Sequence, residues 1–297
     1  MNPWRFQPHP EVWLLVACVV GLAIYAVRVI GPKVVRDGSP VVTGRQKFWF
    51  ALAIVTMWAA ADWPVHDIGE SYLYSVHMLQ HLALTMAVAP LFLLATPTWL
   101  ARLIVGDGWF AGNVVRRLCR PVVAGLLFNA AFVFVHYPPT VNASATNGAL
   151  HLGLHVLIVS SALLMWMPVC GPLPELRLSL PAQMLYLFCQ SIVPTIPSAW
   201  LIFAENPVYR VYDTAYRMGG IDAVSDQQAA GVIMKLGGGF FLWSVIFVIF
   251  FKWSARHQEA ERAGVLVSER DVLTWDVVQA ELAELEQRGP APAEPTN

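Results

Sequence analysis

Charged residues are scarce in this chain. Only 13% of its 297 residues are Asp, Glu, Lys or Arg, whereas a soluble globular protein carries about a quarter. The formal net charge is -1 and no basic domain is present, which argues against nucleic-acid binding. Hydrophobic residues make up 57% of the chain and fall in long blocks. The composition therefore predicts an all-α, polytopic membrane protein whose main surroundings are the lipid bilayer.

Cysteine is also sparse, and its spacing carries no motif. The four cysteines are Cys18, Cys119, Cys170 and Cys189. They lie far apart in the sequence, and no CxxC pair occurs among them. The sequence therefore indicates neither a redox motif nor a thiolate zinc site.

Apolar runs long enough to cross a bilayer, which takes about 20 residues, occur seven times. They cover residues 11–30, 47–63, 72–95, 121–137, 149–169, 181–203 and 229–252. Residues 1–253 are therefore expected to form a seven-helix membrane domain. Pro90 is expected to kink the third span without ending it. Gln190, Pro194 and Pro197 predict a distorted sixth span with freed carbonyls.

Lysine and arginine are concentrated on one side of this topology. The connections on that side contain Arg28, Lys33, Arg36, Arg45, Lys47, Arg102, Arg116, Arg117, Arg120, Lys252, Arg256 and Arg262. The opposite side contains only Arg5, Arg210 and Arg217, among many acidic residues. By the positive-inside rule, the N-terminus is predicted to lie outside and the C-terminus in the cytoplasm.

Residues 254–297 are expected to form a cytoplasmic tail. Residues 268–287 read as one amphipathic helix, with Ser268 and Asp271 placed as a capping box. The last residues, 289–297, are rich in proline and are predicted to be disordered.

Two histidine pairs stand out within the apolar spans. His77 and His81 lie in the third predicted span, and His151 and His155 lie in the fifth. Residues four apart share one helix face, so each pair presents two imidazoles to one ion. Imidazole is the commonest metal ligand, and ionisable residues inside a membrane are usually functional. The two pairs therefore predict a metal site.

Topology places six of the eight histidines near one level, at the extracytoplasmic face. They are His66, His77, His81, His136, His151 and His155. His9 and His257 stand apart, near the two ends of the chain. His66 and His136, each taken alone, are interpreted as ordinary polar residues near water. Asp67 and Glu70 are interpreted as residues of a solvated loop.

Methionine near the histidines favours copper. Nitrogen-rich sites suit copper, zinc, iron or nickel, whereas a thioether favours Cu(I). Met78 flanks the first pair, Met86 lies deeper in the same span, and Met234 lies in the seventh. The expected ion is copper, with Cu(I) the favoured oxidation state.

The start of the seventh span carries several polar groups. Asp226 is predicted to cap the helix that it begins, and Gln227 and Gln228 need partners because amides are costly to bury. Lys235 is expected to pair with a carboxylate or to extend toward water. The glycines at 237–239 are expected to permit close helix contact.

Taken together, these motifs resemble the CtaG family of the caa3-oxidase type. The resemblance rests on His77–His81, on His136-Tyr-Pro138, on the histidine pair of the fifth span, on Pro168–Pro172 and on Asp226–Met234. It covers about residues 45–252. It implies a multi-pass protein of the bacterial inner membrane that is not an enzyme and assists cytochrome c oxidase assembly by supplying copper. The ligands it implies are His77, His81, His136, His151 and His155, with Met234 or Met78 as a soft ligand. The implied partners are oxidase subunits or a periplasmic copper chaperone.

The residues alone are also compatible with three other functions. Membrane di-iron oxygenases and desaturases also use HxxxH boxes, but they usually include an HxxHH box, and this chain has no HH dipeptide. A haem-binding membrane cytochrome would use histidines from facing helices as axial ligands. A copper transporter would need a chain of ligands that continues to the cytoplasmic side, which the sequence does not indicate.

Overall fold

The computed structural model describes residues 4–35, 38–105, 110–213 and 218–270, with the single positions 279 and 283. Within those ranges every regular element is a helix, so the predicted all-α class is confirmed. The chain divides into two units, Met1–Ile249 and Phe250–Asn297. The site described below lies entirely in the first unit.

Seven segments can serve as membrane spans. Six single helices are long and apolar enough to cross a bilayer, and a seventh candidate is a pair of helices bent by 79°. In chain order, spans 1 to 7 are Pro10–Val34, Gly44–Ser71, Tyr74–Ala95, Gly112–Leu118 with Pro121–Val135, Gly148–Cys170, Leu180–Ile202 and Ala223–Gly264. Each predicted span falls on one of them. Span 7 begins earlier than predicted because Asp222, rather than Asp226, accepts hydrogen bonds from the first backbone N–H groups of its helix.

Short elements join the spans. The connecting helices are Thr98–Ile104 and Pro138–Ser144, and 3-10 turns occupy Pro174–Leu176, Arg210–Tyr212 and Met218–Gly220. Span 2 is interrupted after Ala61, so that its last part is the separate helix Val65–Ser71. Span 6 is interrupted between Gln190 and Thr195. The predicted distortion of span 6 is therefore confirmed.

Spans 3 and 5 form the centre of the first unit. Their most apolar windows are 56% and 50% buried within the protein, against 11% for span 1. Phe128, Ile158, Met165 and Leu187 are among the side chains that fill the core between the spans. The two central spans are also the ones that carry the histidine pairs, which is why those imidazoles are enclosed by protein.

The helix of span 3 changes pitch after its two histidines in the sequence. A π-helical turn covers Ala83–Val88, after which the α-helix continues through Pro90 to Ala95. Proline has no N–H to donate, and in the π register the bond from residue 90 would go to the carbonyl of Thr85. Trp166 of span 5 donates its indole N–H to that carbonyl instead, at 2.9 Å. Pro90 thus leaves the span intact, as predicted.

Span 7 packs closely on span 6 and on span 3. A Cβ added to Gly231 would lie 2.9 Å from the Ser198 carbonyl oxygen and from Leu201 Cβ, and one added to Gly237 would lie 2.9 Å from Leu82. A Cβ at Gly239 would have no neighbour within 4 Å. The expected close helix contact is therefore present at Gly237 and not at Gly239.

Lys235 has partners other than those predicted. Its Nζ donates to Thr195 Oγ1 at 2.5 Å and to the Ser191 carbonyl at 3.4 Å. Both acceptors border the interruption in span 6, where the helix leaves polar groups without intrahelical partners. Its partners are therefore a hydroxyl and a backbone carbonyl, in place of the predicted carboxylate.

In the second unit, the last helix runs through Ser268 to Arg270. A helix therefore does not begin at Ser268, and the rest of the predicted capping box, which involves Asp271, lies outside the described residues. The rest of the predicted amphipathic helix, apart from positions 279 and 283, and the predicted disordered end at 289–297 lie outside the described residues.

Candidate metal centre

The start of span 3 is held by a carboxylate from span 7. Asp226 accepts hydrogen bonds from the backbone N–H of Tyr74 at 2.6 Å, from that of Ser75 at 3.2 Å and from the Ser75 hydroxyl at 2.5 Å. A carboxylate at this position satisfies free N–H groups and lies at the positive end of the helix dipole. The prediction that Asp226 caps its own helix was wrong, since it caps the helix that carries His77 and His81.

The helix Val65–Ser71 brings an acidic side chain to the histidines. Asp62 ends the preceding helix and accepts indole N–H groups from Trp13 at 2.8 Å and Trp58 at 2.6 Å. Gly69 permits the approach to span 3, because a Cβ there would lie 3.0 Å from the backbone nitrogen of His77. Glu70 follows and points into the histidine cluster.

The two predicted histidine pairs meet. Ring centroids lie 4.5 Å apart within each pair, and 4.8 Å separate those of His81 and His155 across the two spans. The ring of His77 lies 5.7 Å from that of His151. His136, at the end of span 4, has its ring centroid 5.7 Å from that of His81. The structure therefore brings all five predicted histidine ligands into one cluster.

Two sets of three side chains within this cluster have the spacing of metal ligands. One is His77, His81 and His155, and the other is Glu70, His151 and His155. In each set the candidate ligand atoms all lie within 4.8 Å of one another. Because His155 belongs to both, the sets adjoin and share a ligand.

Ring nitrogens in the cluster are buried without hydrogen-bond partners among the described residues. They are His77 Nδ1, both nitrogens of His81, and the Nε2 atoms of His136 and His155. Leaving such a group unpaired costs on the order of 1–3 kcal/mol. Several unpaired ring nitrogens close to one point are the arrangement expected of the ligands of a cation.

His136 shows how one nitrogen is prepared for a metal. Its Nδ1 lies 2.6 Å from the Phe132 carbonyl oxygen, which can only accept, so Nδ1 carries the proton. Nε2 therefore has the free lone pair. The backbone of His136 is fixed as well, since the hydroxyl of Tyr209 donates to its carbonyl at 2.8 Å. Burial raises the pKa of Tyr209 to about 12, which keeps it a donor.

Tyr209 itself is positioned by the start of span 7. The Gln227 side chain accepts from the backbone N–H groups of Val208 and Tyr209 and donates to the Tyr209 carbonyl, all at 2.9–3.0 Å. Gln228 donates to the Ala204 carbonyl at 3.0 Å. The expectation that both amides need partners is confirmed, and their partners anchor the connection between spans 6 and 7 beside the histidines.

Glu70 is part of the cluster and not of a solvated loop. Its Oε1 lies 2.5 Å from His151 Nε2 and 3.1 Å from His66 Nε2. The interpretation of Glu70 as a solvated residue was therefore wrong. A side-chain carboxylate four residues after a histidine was the available signal.

His66 supports Glu70 and is unsuited to bind an ion itself. Its Nδ1 faces the Gln80 amide nitrogen at 3.2 Å, and its Nε2 faces Glu70. Both ring nitrogens are engaged by protein groups, as in the residues that orient metal ligands from behind.

His9 does not stand apart, contrary to the prediction. Its two ring nitrogens contact Glu11 at 2.9 Å and Asp67 at 3.0 Å, and its ring lies 4.8 Å from that of His66. Partial burial disfavours its charged form, but the hydrogen bonds to the two carboxylates outweigh burial and raise the pKa of His9. Asp67 is buried in this contact, so its interpretation as a solvated loop residue was also wrong.

Two cavities border the cluster. The larger, about 670 Å³, is lined by Glu70 and by the cluster histidines, and it extends between spans 1, 2, 3 and 5. The smaller, about 30 Å³, is lined by Met78, Met86 and Met234. His81 and His136 line both. Met234 therefore borders the smaller cavity and Glu70 the larger one.

Fold and site together define a multi-pass helical membrane protein with a buried cluster of imidazoles that has the geometry of a metal centre. The sequence pattern of the cytochrome c oxidase caa3 assembly factor family (Caa3_CtaG) matches residues 10–256. The chain therefore belongs to this family, as the resemblance predicted, and the match extends over span 1 as well. No curated protein and no solved structure matches the chain.

Proposed function

We propose that this assembly factor binds copper in the histidine cluster and supplies it to a caa3-type cytochrome c oxidase. The observation that carries the proposal is the convergence of unpartnered imidazole nitrogens from spans 3, 4 and 5 on one buried point beside Glu70. Imidazole ligands suit copper in either oxidation state. The family supports oxidase assembly as the process that the ion serves.

The shared ligand gives a route for release. An ion passed between proteins exchanges ligands one at a time, which requires ligand sets that overlap and an open coordination position. His155 belongs to both sets, so an ion can exchange His77 and His81 for His151 and Glu70 without leaving the protein. The larger cavity gives an acceptor's ligand access to that position.

The proposed direction of delivery follows from the charge distribution. With the basic connections in the cytoplasm, the cluster opens on the extracytoplasmic side of the bacterial inner membrane. The recipient is then an oxidase subunit or a periplasmic copper chaperone. The chain's own role is binding and transfer, without catalysis.

Metal analysis of the purified protein tests the ligand assignment. We expect copper in protein from copper-replete cells, and loss of the copper bound by nitrogen ligands in the His77→Ala plus His81→Ala variant, because it removes two of three nitrogens from one ligand set. His257→Ala is the matched control, since that exposed histidine lies outside the cluster. Full copper binding by the double variant would refute the site.

Cells lacking the gene test the supply of copper. Oxidase absorbance should be low in these cells and should return with the wild-type chain but not with the double variant. Iron with an oxygen-dependent product would instead indicate a di-iron oxygenase, and a Soret band would indicate a haem protein.

A further inference from the structure

The smaller cavity has the composition of a second copper site. Of the nine methionines in the chain, Met78, Met86 and Met234 line this one space of about 30 Å³. All three are buried. A volume of this size holds about one water molecule or one ion. Methionine more often fills core gaps, but core filling does not require three methionines to line the same small space.

The backbone is distorted at two of these methionines. Met86 lies in the π-helical turn Ala83–Val88, and Met234 lies in a second one, Ile233–Gly237. Within the described residues there is only one other π-helical turn, Ala26–Ile30. Such turns are rare and frequently occur at functional sites, because the change of pitch re-aims side chains. Here both turns lie beside the same cavity.

The ligand types differ between the two cavities. Glu70 borders the larger cavity, whereas no carboxylate borders the smaller one among the described residues. Lys235 borders the smaller cavity, with its Nζ on Thr195 and Ser191. Repulsion between an ammonium and a bound cation doubles when the cation is divalent. Thioether ligands select Cu(I) on chemical grounds as well.

We propose that the methionine-lined cavity is a distinct binding position for a monovalent soft cation, Cu(I), with thioether ligands from Met86, Met234 and Met78. His81 and His136 border both cavities, so they hand the ion between the histidine cluster and this position. Met86 lies near the middle of span 3, and the site is therefore further into the membrane than His77. The proposal rests on copper binding as the proposed function.

X-ray absorption of the Cu(I)-loaded full-length protein tests the position directly. We expect a sulfur shell around copper in the wild type, and its loss in the Met86→Leu plus Met234→Leu variant, because leucine keeps the volume and removes the thioether. In competition with a chromophoric Cu(I) chelator, affinity should fall about tenfold or more while Zn(II) affinity stays unchanged. Met165→Leu is the control, since that buried methionine borders neither cavity.

Each result separates this proposal from the function on which it rests. Copper bound by nitrogen alone in the wild type would overturn the methionine position and leave the histidine cluster standing. A Cu(I) affinity of the double leucine variant equal to that of the wild type would likewise overturn the methionine position and leave the histidine cluster standing. A wild-type protein that binds no copper would overturn both. The wild-type spectrum decides the question even if the leucine variant fails to fold.

Discussion

Each buried imidazole has two ring nitrogens, and the contact made by one decides what the other can do. His136 donates from Nδ1 to a carbonyl and so keeps Nε2 for an ion. His66 has both nitrogens engaged and serves Glu70 instead. His9 contacts a carboxylate with each nitrogen, which favours its protonated form and leaves neither nitrogen for an ion. Three chemically identical side chains thus take three roles.

The charge of His9 predicts a pH dependence of stability. Because its pKa is raised in the folded state, protonated His9 stabilises the fold at pH values below its unfolded pKa of about 6.5, and this contribution is lost as the pH rises through the folded pKa. The His9→Gln variant should therefore unfold at a lower temperature than the wild type at pH 6 and at the same temperature at pH 9. Thermal unfolding of the detergent-solubilised proteins measures the difference.

His257→Gln controls for general effects of pH on the protein and detergent. His257 is exposed and has two neighbours one helical turn away, Glu261 at 3.2 Å and the stacked ring of Trp253, whose centroid lies 5.6 Å from its own. A difference between His9→Gln and the wild type that persists unchanged at pH 9 would show that His9 acts through packing on His66 and not through its charge.

The five cluster histidines could be predicted from the sequence, because the helical spacing of two HxxxH pairs and the depth of the spans place them at one level. The role of His9 could not be predicted in this way. His9 contacts Asp67, 58 residues away, and neither residue carries a local pattern that indicates the contact. From the sequence alone, a residue in a polar segment between apolar spans is interpreted as solvated. Only the fold shows that another element covers it.

At the scale of helices, the metal centre depends on how span 7 docks on its neighbours. Asp226 holds the start of span 3, Gln227 holds the connection that fixes His136, and Gly231 brings span 7 against span 6. All three lie in the first turns of one helix. A shift of that helix would therefore move His77 and His136 together.

Gly231→Ala tests this docking. The added Cβ would lie 2.9 Å from Leu201 Cβ, Ile202 Cγ1 and the Ser198 carbonyl oxygen, two of which belong to side chains that cannot withdraw easily from a packed interface. We expect a loss of about 1–3 kcal/mol of stability, typical of overpacking, together with weaker Cu(I) binding. Thermal unfolding and chelator competition measure the two effects.

Gly21→Ala is the matched control, since a Cβ there has no neighbour within 4 Å and alanine favours the helix by up to about 1 kcal/mol. Gly231→Ala protein as stable as the Gly21→Ala protein would contradict the close packing of spans 6 and 7.

The spans could be predicted because bilayer thickness fixes their length and composition. The partner of Asp226 could not be predicted from the sequence, since the carboxylate and the backbone of Tyr74 lie 152 residues apart. A side chain that caps a helix leaves a local signal only when it belongs to that helix. The π-helical turns had no sequence signal beyond Pro90, because they depend on packing between spans.

At the scale of the whole molecule, the orientation of the protein in the membrane decides toward which side the two cavities pass an ion. The cluster histidines lie near the ends of spans 3, 4 and 5 that the positive-inside rule places outside. Met86, which borders the methionine-lined cavity, lies nearer the middle of span 3. Delivery to an extracytoplasmic acceptor therefore requires the N-terminus outside and the C-terminus in the cytoplasm.

Cysteine labelling in spheroplasts tests that orientation. In a variant without the four native cysteines, Thr146→Cys lies in the connection between spans 4 and 5, and Glu175→Cys lies in the connection between spans 5 and 6; both positions are exposed. A membrane-impermeant maleimide should label position 146 in intact spheroplasts and position 175 only after lysis. The two sites control for each other, because they flank the same span and differ in side. Labelling of 175 but not 146 in intact spheroplasts would reverse the topology, and the histidine cluster would then face a cytoplasmic copper donor or acceptor.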